Sequence, residues 1–259
     1  VGALSIVLAA PLGSSPPTAA QPVASTSVRV LAVNVRSFPA MSHHAYAADM
    51  RTVFGTSADA LLGAEIIPRT GELALWRARA RATGRRVVEP GFEDTQALDR
   101  ATLAVRDSRA IFLHRAPGGP ASPARWAVQS RTQVAGFHVA FLALHLTNGC
   151  LPQYRRFAWY AGRCVALRAE IARVRVAIHG LHMQGYTTVV GGDLNRGPIR
   201  WARTAVSLGS STLMHLSAVP AADVRLEVSH RRVIRTRSRG GVLYTDHNAV
   251  LGTLTLTRR

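Results

Sequence analysis

Apolar and polar positions change period several times along the chain, and each change predicts an element. Val28 to Val35 is an almost unbroken apolar run, the pattern of a mostly buried strand. Ala45 to Phe54 fits a short helix. Asp59 to Ile67 is a short apolar run stopped by Pro68 and reads as a strand. Leu73 to Thr83 reads as a helix with its arginines in solvent and Gly84 at its end. Four β-like pieces follow: Thr102 to Arg106, Ala110 to His114, Arg125 to Val134 and Phe137 to Leu146. Gly118, Gly119 and Pro120 mark a loop among them, and Gly136 marks a tight turn. The clearest helical period runs from Arg155 to Met183. Phe157, Tyr160, Cys164, Leu167, Ile171, Val174, Ile178 and Leu181 fall at steps of three and four, which predicts one buried stripe. Beyond Gly185 the pattern predicts a strand at Thr187 to Val190 and a short helix at Trp201 to Leu208. Strands at Val224 to Val228, Val233 to Thr236 and Ala249 to Leu256 complete it.

Strands therefore come in runs with few helices between them. That argues for largely antiparallel sheets with helices outside, an α+β architecture, and against a regularly alternating parallel sheet. No internal repeat stands out. The length of 259 residues and the 47% apolar content suit one large domain with a sizeable core.

The first charged residue is Arg29. Ahead of it an apolar run, Val1 to Leu12, leads into a Ser/Pro/Ala stretch ending in Pro22-Val23-Ala24-Ser25. Residues 1–27 are read as a signal peptide or a disordered leader, and residues 28–259 as the domain. The expected location is secreted or extracytoplasmic, with membrane contact through the apolar leader only. Cys150 and Cys164 are the only cysteines. In an oxidising compartment they would pair, and closing that loop would add about 3 kcal/mol in the chain-entropy model. The alternative is two reduced, buried thiols.

Charge narrows the partners. The 32 basic residues are all arginine, against 14 acidic ones, for a formal charge of +18. Such a chain attracts polyanions, nucleic acid first among them. No obligate protein partner is evident. Several basic or aromatic features have plainer readings. Arg77, Arg79, Arg81, Arg85 and Arg86 read as a solvated helix face. His43-His44 read as exposed loop histidines. Trp76, Trp126, Trp159 and Trp201 are scattered, with no pattern of a stacking platform.

The scarce acidic residues carry more information. Asp193 and Asn195 lie in Val189-Val190-Gly191-Gly192-Asp193-Leu194-Asn195, a buried strand running into a turn. A carboxylate at such a strand end can orient water or hold a hard cation, and the amide can donate to a phosphate oxygen. Glu65 sits in an apolar run where an unpaired charge would be costly. Asn34 interrupts the first strand in the same way. His145 ends another apolar strand, Asp246-His247 opens the last one, and Asp223 opens Asp223-Val224-Arg225-Leu226-Glu227-Val228-Ser229.

In chain order these pieces resemble the endonuclease/exonuclease/phosphatase superfamily, the deoxyribonuclease-I-like fold. The resemblance rests on Asn34, Glu65, His145-Leu146, Gly192-Asp193-Leu194-Asn195, Asp223 and Thr245-Asp246-His247, and runs from about Val28 to Leu256. It implies a four-layer α/β/β/α sandwich of two mostly antiparallel sheets flanked by helices. It also implies hydrolysis of phosphodiester or phosphomonoester bonds with Mg²⁺, or Mn²⁺ or Ca²⁺. Asn34, Glu65 and Asp246 are the expected metal residues. His145, Asp193, Asn195, Asp223 and His247 are the expected catalytic ones, with Asp223 holding His247. Arg109, Arg131 and Arg69 are candidates for a further phosphate contact. Within that resemblance a secreted, non-specific nuclease is the leading expectation. The alternatives are a sphingomyelinase- or phospholipase-C-like enzyme, a phosphatase, or a non-catalytic polyanion-binding module. The loop Pro117 to Pro123 lacks the aromatic residues of a membrane-contacting loop.

Overall fold

A computed structural model describes residues 24–35, 42–66, 71–89, 94–115 and 124–259. The predicted leader up to Val23, Arg69 and the loop Pro117 to Pro123 lie outside the described residues. The elements in chain order are β1 (Ser25–Asn34), α1 (His43–Phe54), β2 (Ala60–Ala64), α2 (Glu72–Ala82), β3 (Arg85–Val88), β4 (Thr95–Asp99), β5 (Ala104–His114), β6 (Arg125–Val134) and β7 (Phe137–His145). Then come α3 (Tyr160–Met183), β8 (Thr187–Asp193), β9 (Val206–Ser210), β10 (Met214–Val219), β11 (Val224–Ile234) and β12 (Ala249–Arg258).

The strands form two six-stranded sheets, in the orders β11-β12-β1-β2-β4-β3 and β5-β6-β7-β8-β10-β9. Each sheet holds one parallel pair, β1 with β2 and β7 with β8, and every other pairing is antiparallel. A helix bridges each parallel pair: α1 joins β1 to β2, and α3 joins β7 to β8. The two halves thus share a topology that the sequence does not show as a repeat.

Three apolar layers hold the four structural layers together. Between the sheets pack Val30, Leu62, Phe141, Val189, Leu216 and Leu254, among others. Outside the first sheet, Tyr46 and Met50 of α1 and Trp76 of α2 cover Leu31, Val33 and Leu61. Outside the second, Leu167, Ile171, Val174 and Ile178 of α3 cover Leu142, Leu144 and Val190. Strands covered on both faces read as continuous apolar runs rather than alternating ones. The expected α/β/β/α sandwich is therefore the observed architecture. Among the described residues no helix is long and apolar enough to cross a membrane.

Several local expectations change. Ser25 to Ser27, assigned to the leader, belong to β1, where Ser25 and Ser27 meet the hydroxyls of Thr257 and Thr255. The two pieces at Thr102 to Arg106 and Ala110 to His114 are one strand, β5. The two at Val224 to Val228 and Val233 to Thr236 are one strand, β11, with a register shift between Ser229 and Arg232. Arg85 leaves the supposed helix face for β3, where burial lowers its pKa and its guanidinium donates to the Ala58 carbonyl at 2.7 Å. No helix forms at Trp201 to Leu208. Trp201 is drawn into the layer under α3, and the chain from Val206 pairs with β10.

The long helix starts at Tyr160 rather than Arg155. Cys150 and Cys164 form a disulfide with their Cα atoms 4.8 Å apart, which ties the approach segment to the helix's first turns. The chain there folds through a short 3₁₀ turn at Pro152–Tyr154 instead of extending the helix, and Phe157 stands exposed rather than in the buried stripe.

Candidate active site at the joint of the two sheets

Strand direction assembles the site. In the parallel pair β1–β2, Asn34 is level with Ala64, so Asn34 and Glu65 emerge side by side. In the parallel pair β7–β8, His145 is level with Asp193. Face-to-face packing brings these two pairs of strand ends together. The Asn34 amide then donates to Glu65 Oε1 at 2.9 Å and across the sheets to Asp193 Oδ2 at 3.0 Å.

Gly191 permits this approach, and Gly192 permits the close pairing of β8 with β7. A Cβ on Gly191 would lie 2.9 Å from Leu62 Cδ1 and 3.2 Å from the Ala32 methyl of the facing sheet. One on Gly192, at φ +143°, would lie 1.9 Å from the Leu144 carbonyl oxygen. Two site residues themselves hold left-handed backbones, Glu65 at φ +59° and Asn195 at φ +51°. For glutamate that conformation costs on the order of 1 kcal/mol, held by the surrounding structure, and it turns the side chain into the joint.

Asp193 is buried. Its Oδ1 accepts the Asn195 backbone N–H at 2.8 Å, and its Oδ2 lies 3.7 Å from His247 Nε2. The same imidazole nitrogen lies 3.4 Å from Asp246 Oδ1, and Asp246 is exposed. Asn195 spends one amide N–H on the Leu146 carbonyl at 2.8 Å, which leaves the second for another acceptor. His145 is buried, with Arg125 Nη1 3.1 Å from its Nδ1. A guanidinium only donates, so Nδ1 accepts and the ring proton sits on Nε2, 3.7 Å from Glu65 Oε1.

Two buried carboxylates stand behind this site. Asp49 of α1 accepts from the backbone N–H groups of Tyr244 at 2.7 Å and Thr245 at 2.8 Å. Thr245 in turn donates its hydroxyl to the Asn34 carbonyl at 2.9 Å. The loop carrying His247 is thereby fastened to both α1 and β1. Glu170 of α3 accepts from the Thr147 backbone N–H at 2.8 Å and its hydroxyl at 2.5 Å, two residues past His145. Burial pushes both carboxyl pKa values up, and the hydrogen bonds partly offset this.

The structure thus gathers Asn34, Glu65, His145, Asp193, Asn195, Asp246 and His247. It does not gather Asp223. That residue pairs with Arg258 at the end of β12 opposite to His247, and its side chain is 56% exposed. β11 and β12 are antiparallel, so the start of one lies beside the end of the other. In the adjoining strand β10, Met214 is level with Asp193 and His215 with Gly192. His215 is buried, its Nε2 lies 2.9 Å from the Arg196 carbonyl, and burial lowers its pKa.

Sequence reasoning also missed Arg125. The signal was available: counting back across the Ala135-Gly136 turn places the start of β6 beside the end of β7. Arg131, a candidate phosphate contact, instead pairs with Asp107, and Arg109 with Gln129. His43 and His44 open α1 as exposed residues rather than sitting in a loop.

The donor set suits a hard cation. Among the described residues no group of three or more His, Cys, Asp or Glu side chains is placed to hold a metal ion. Glu65, held beside the Asn34 amide, offers carboxylate oxygens to an ion that keeps most of its water shell, as Mg²⁺ does.

Neither a protein-family model nor a curated protein matches the sequence. Solved structures match on fold. An endonuclease/exonuclease/phosphatase protein from Bacteroides vulgatus superposes with a TM-score of 0.66 at 13% identity, covering 88% of this chain and 98% of its own. TDP2 from D. rerio, complexed with a single-strand DNA product, gives 0.65 at 12% identity over 88% and 99%. The human Nocturnin catalytic domain, with a bound sulfate anion, gives 0.63 at 13% over 89% and 94%. The chain has the fold of the endonuclease/exonuclease/phosphatase superfamily.

Proposed function

We propose that this protein hydrolyses phosphodiester bonds of nucleic acid with the help of a divalent cation, and that it works outside the cytoplasm. The observation that carries the reading is the joint itself. A buried Asp193 is held by Asn34 from the opposite sheet, with His247 Nε2 3.7 Å away and His145 level with it in the next strand.

Each residue has a task that its geometry supports. Asp193 orients the attacking water, its carboxylate fixed by Asn34 and by the Asn195 backbone N–H. His247, between Asp193 and Asp246, takes the proton or polarises the phosphate. The Nε2–H of His145 and the second amide N–H of Asn195 donate to phosphate oxygens as negative charge develops. Arg125 keeps His145 in the donating tautomer and adds positive charge. Glu65 and Asn34, with Asp246 nearby, would hold the cation, whose charge would offset that of the attacked phosphate.

The formal charge of +18 supports a polyanionic substrate, and duplex DNA carries about one charge per 1.7 Å. The D. rerio TDP2 complex with single-strand DNA product is a precedent for this fold. The Cys150–Cys164 disulfide supports an oxidising compartment.

The test is plasmid nicking by purified protein in Mg²⁺, Mn²⁺ or Ca²⁺, with and without chelator. Nicking that is lost in chelator and in His247→Ala is expected. Intact plasmid in every metal, with folding confirmed by circular dichroism, would rule the reading out. Sphingomyelin vesicles and phosphomonoesters in the same panel test the other phosphoesterase activities.

A further inference from the structure

The segment closed by the Cys150–Cys164 disulfide has a feature that the hydrolytic residues do not use. Phe157 and Trp159 are 40% and 44% exposed and belong to none of the three apolar layers. Their rings stack on each other, with centroids 5.2 Å apart and planes 7° apart. Tyr154 adds a third ring, 5.6 Å from Trp159. Arg156 lies over Phe157 at 5.1 Å and Arg163 over Trp159 at 5.3 Å. Arg163 also donates to the Asn148 side chain.

This cluster is continuous with the candidate active site. A cleft of about 340 Å³ is lined by Tyr154, Trp159, Arg163 and Asn148 together with Asn195. Asn195 is the residue with an amide N–H to spare for a phosphate. Aromatic faces beside a phosphate-handling group, flanked by guanidinium groups, match the chemistry of a nucleotide: a flat base joined to an anion. A guanidinium over a ring holds the place a base can take, because both are planar and both favour the ring face. Once displaced, the arginine can reach the backbone phosphates. A duplex keeps its bases stacked inside, whereas a single strand offers them to aromatic side chains.

We infer that Tyr154, Phe157 and Trp159, with Arg156 and Arg163, form a base-stacking subsite for an unpaired nucleotide next to the phosphate held at Asn195. This rests on the nucleic-acid reading given above and adds to it a preference for single strands. An aromatic cluster that dips into a membrane is the competing use. The arginines over both rings favour the nucleotide.

The subsite is tested by binding, apart from turnover. Affinities of the full chain, in chelator, are measured for a short single-stranded oligonucleotide and for an abasic backbone of equal length. The native chain should favour the base-bearing strand by about tenfold or more. Phe157→Ala with Trp159→Ala should bring that ratio close to one, and Trp159→Phe should largely keep it. A ratio near one in the native chain, or one unchanged in the double variant, would overturn the subsite. So would Trp159-dependent binding to phosphatidylcholine/phosphatidylserine vesicles with no preference for bases. Cleavage with base-indifferent binding would remove the subsite and leave the nuclease reading standing. Base-dependent binding without cleavage would do the reverse.

Discussion

In the first half of the molecule a 12-residue helix, α1, bridges the parallel strands β1 and β2. In the second a 24-residue helix, α3, bridges β7 and β8. Each helix presents one buried carboxylate to a loop that carries or follows a site histidine. Asp49 reaches far along the sequence, to Tyr244 and Thr245, and Glu170 reaches locally, to Thr147. The halves differ in what they place at the joint. The first supplies Asn34, Glu65 on a left-handed backbone, and, from the loop ahead of β12, Asp246 and His247. The second supplies His145, Asp193 and Asn195, and it alone has a covalent tie, the Cys150–Cys164 bridge. The shared topology shows how a crossover helix can also brace the site its strands build. The differences assign Asp193, His145 and Asn195 to the second half, while the first adds His247 and the support of Asn34.

The largest test of that division is kinetic. Asp193→Asn should lower hydrolysis by about 10²- to 10⁴-fold, in the range of lost acid–base groups. Asn34→Ala should cost less, and a double-mutant cycle should show the two coupled through their hydrogen bond. An equal loss in both single variants would break the assignment.

Next in size is the covalent tie. Cys150→Ser with Cys164→Ser should lower unfolding free energy by about 3 kcal/mol in urea titrations. Because the bridge closes the aromatic segment, the same variant should also weaken single-strand binding. The braces come third. Asp49→Asn and Glu170→Gln should each cost about 1–3 kcal/mol, since the first leaves two backbone N–H groups, and the second one backbone N–H and the Thr147 hydroxyl, facing a poorer partner. The Asp49 change should further reduce activity, because its loop carries His247.

The smallest effect is on pH dependence. Burial raises the folded-state pKa of Asp49 and Glu170, so the folded chain binds those protons more tightly than the unfolded chain does. Their contribution therefore favours folding at low pH and declines as pH rises from the ordinary carboxylate range through the raised values. Thermal midpoints of Glu170→Gln, followed over that range, should lack this part of the slope. His215 has the opposite sign. Its lowered pKa favours folding above the ordinary histidine value and is lost as pH falls below it.

Much of the second sheet was readable because its strands are plain in their pattern. β6 runs from Arg125 to Val134 as the sequence predicts, and the Gly136 turn fixes its pairing with β7. The missed strands carry polar residues whose partners are distant in sequence. Arg85 in β3 donates to the Ala58 carbonyl at 2.7 Å, and Gln96 in β4 donates to the Val128 carbonyl at 2.7 Å. No local period can reveal either. The ordered motifs placed seven of the eight expected metal and catalytic residues in one region, all but Asp223. Asp223 failed because a sequence motif gives position along a strand but not the strand's direction. The aromatic segment was hidden for a related reason. Phe157 continues the helical spacing of α3, but the chain reaches Tyr160 through a 3₁₀ turn and a disulfide-closed segment, outside the helix.

The Asn34 amide has one acceptor on its own sheet, Glu65, and one on the other, Asp193. Neither sheet holds the site by itself. During refolding, strand pairing within each sheet could be complete while the chain still lacked any arrangement able to turn over substrate. Hydrolysis should begin only when the sheets dock, so its onset would serve as a clock for that one event, which a measurement of strand content does not isolate.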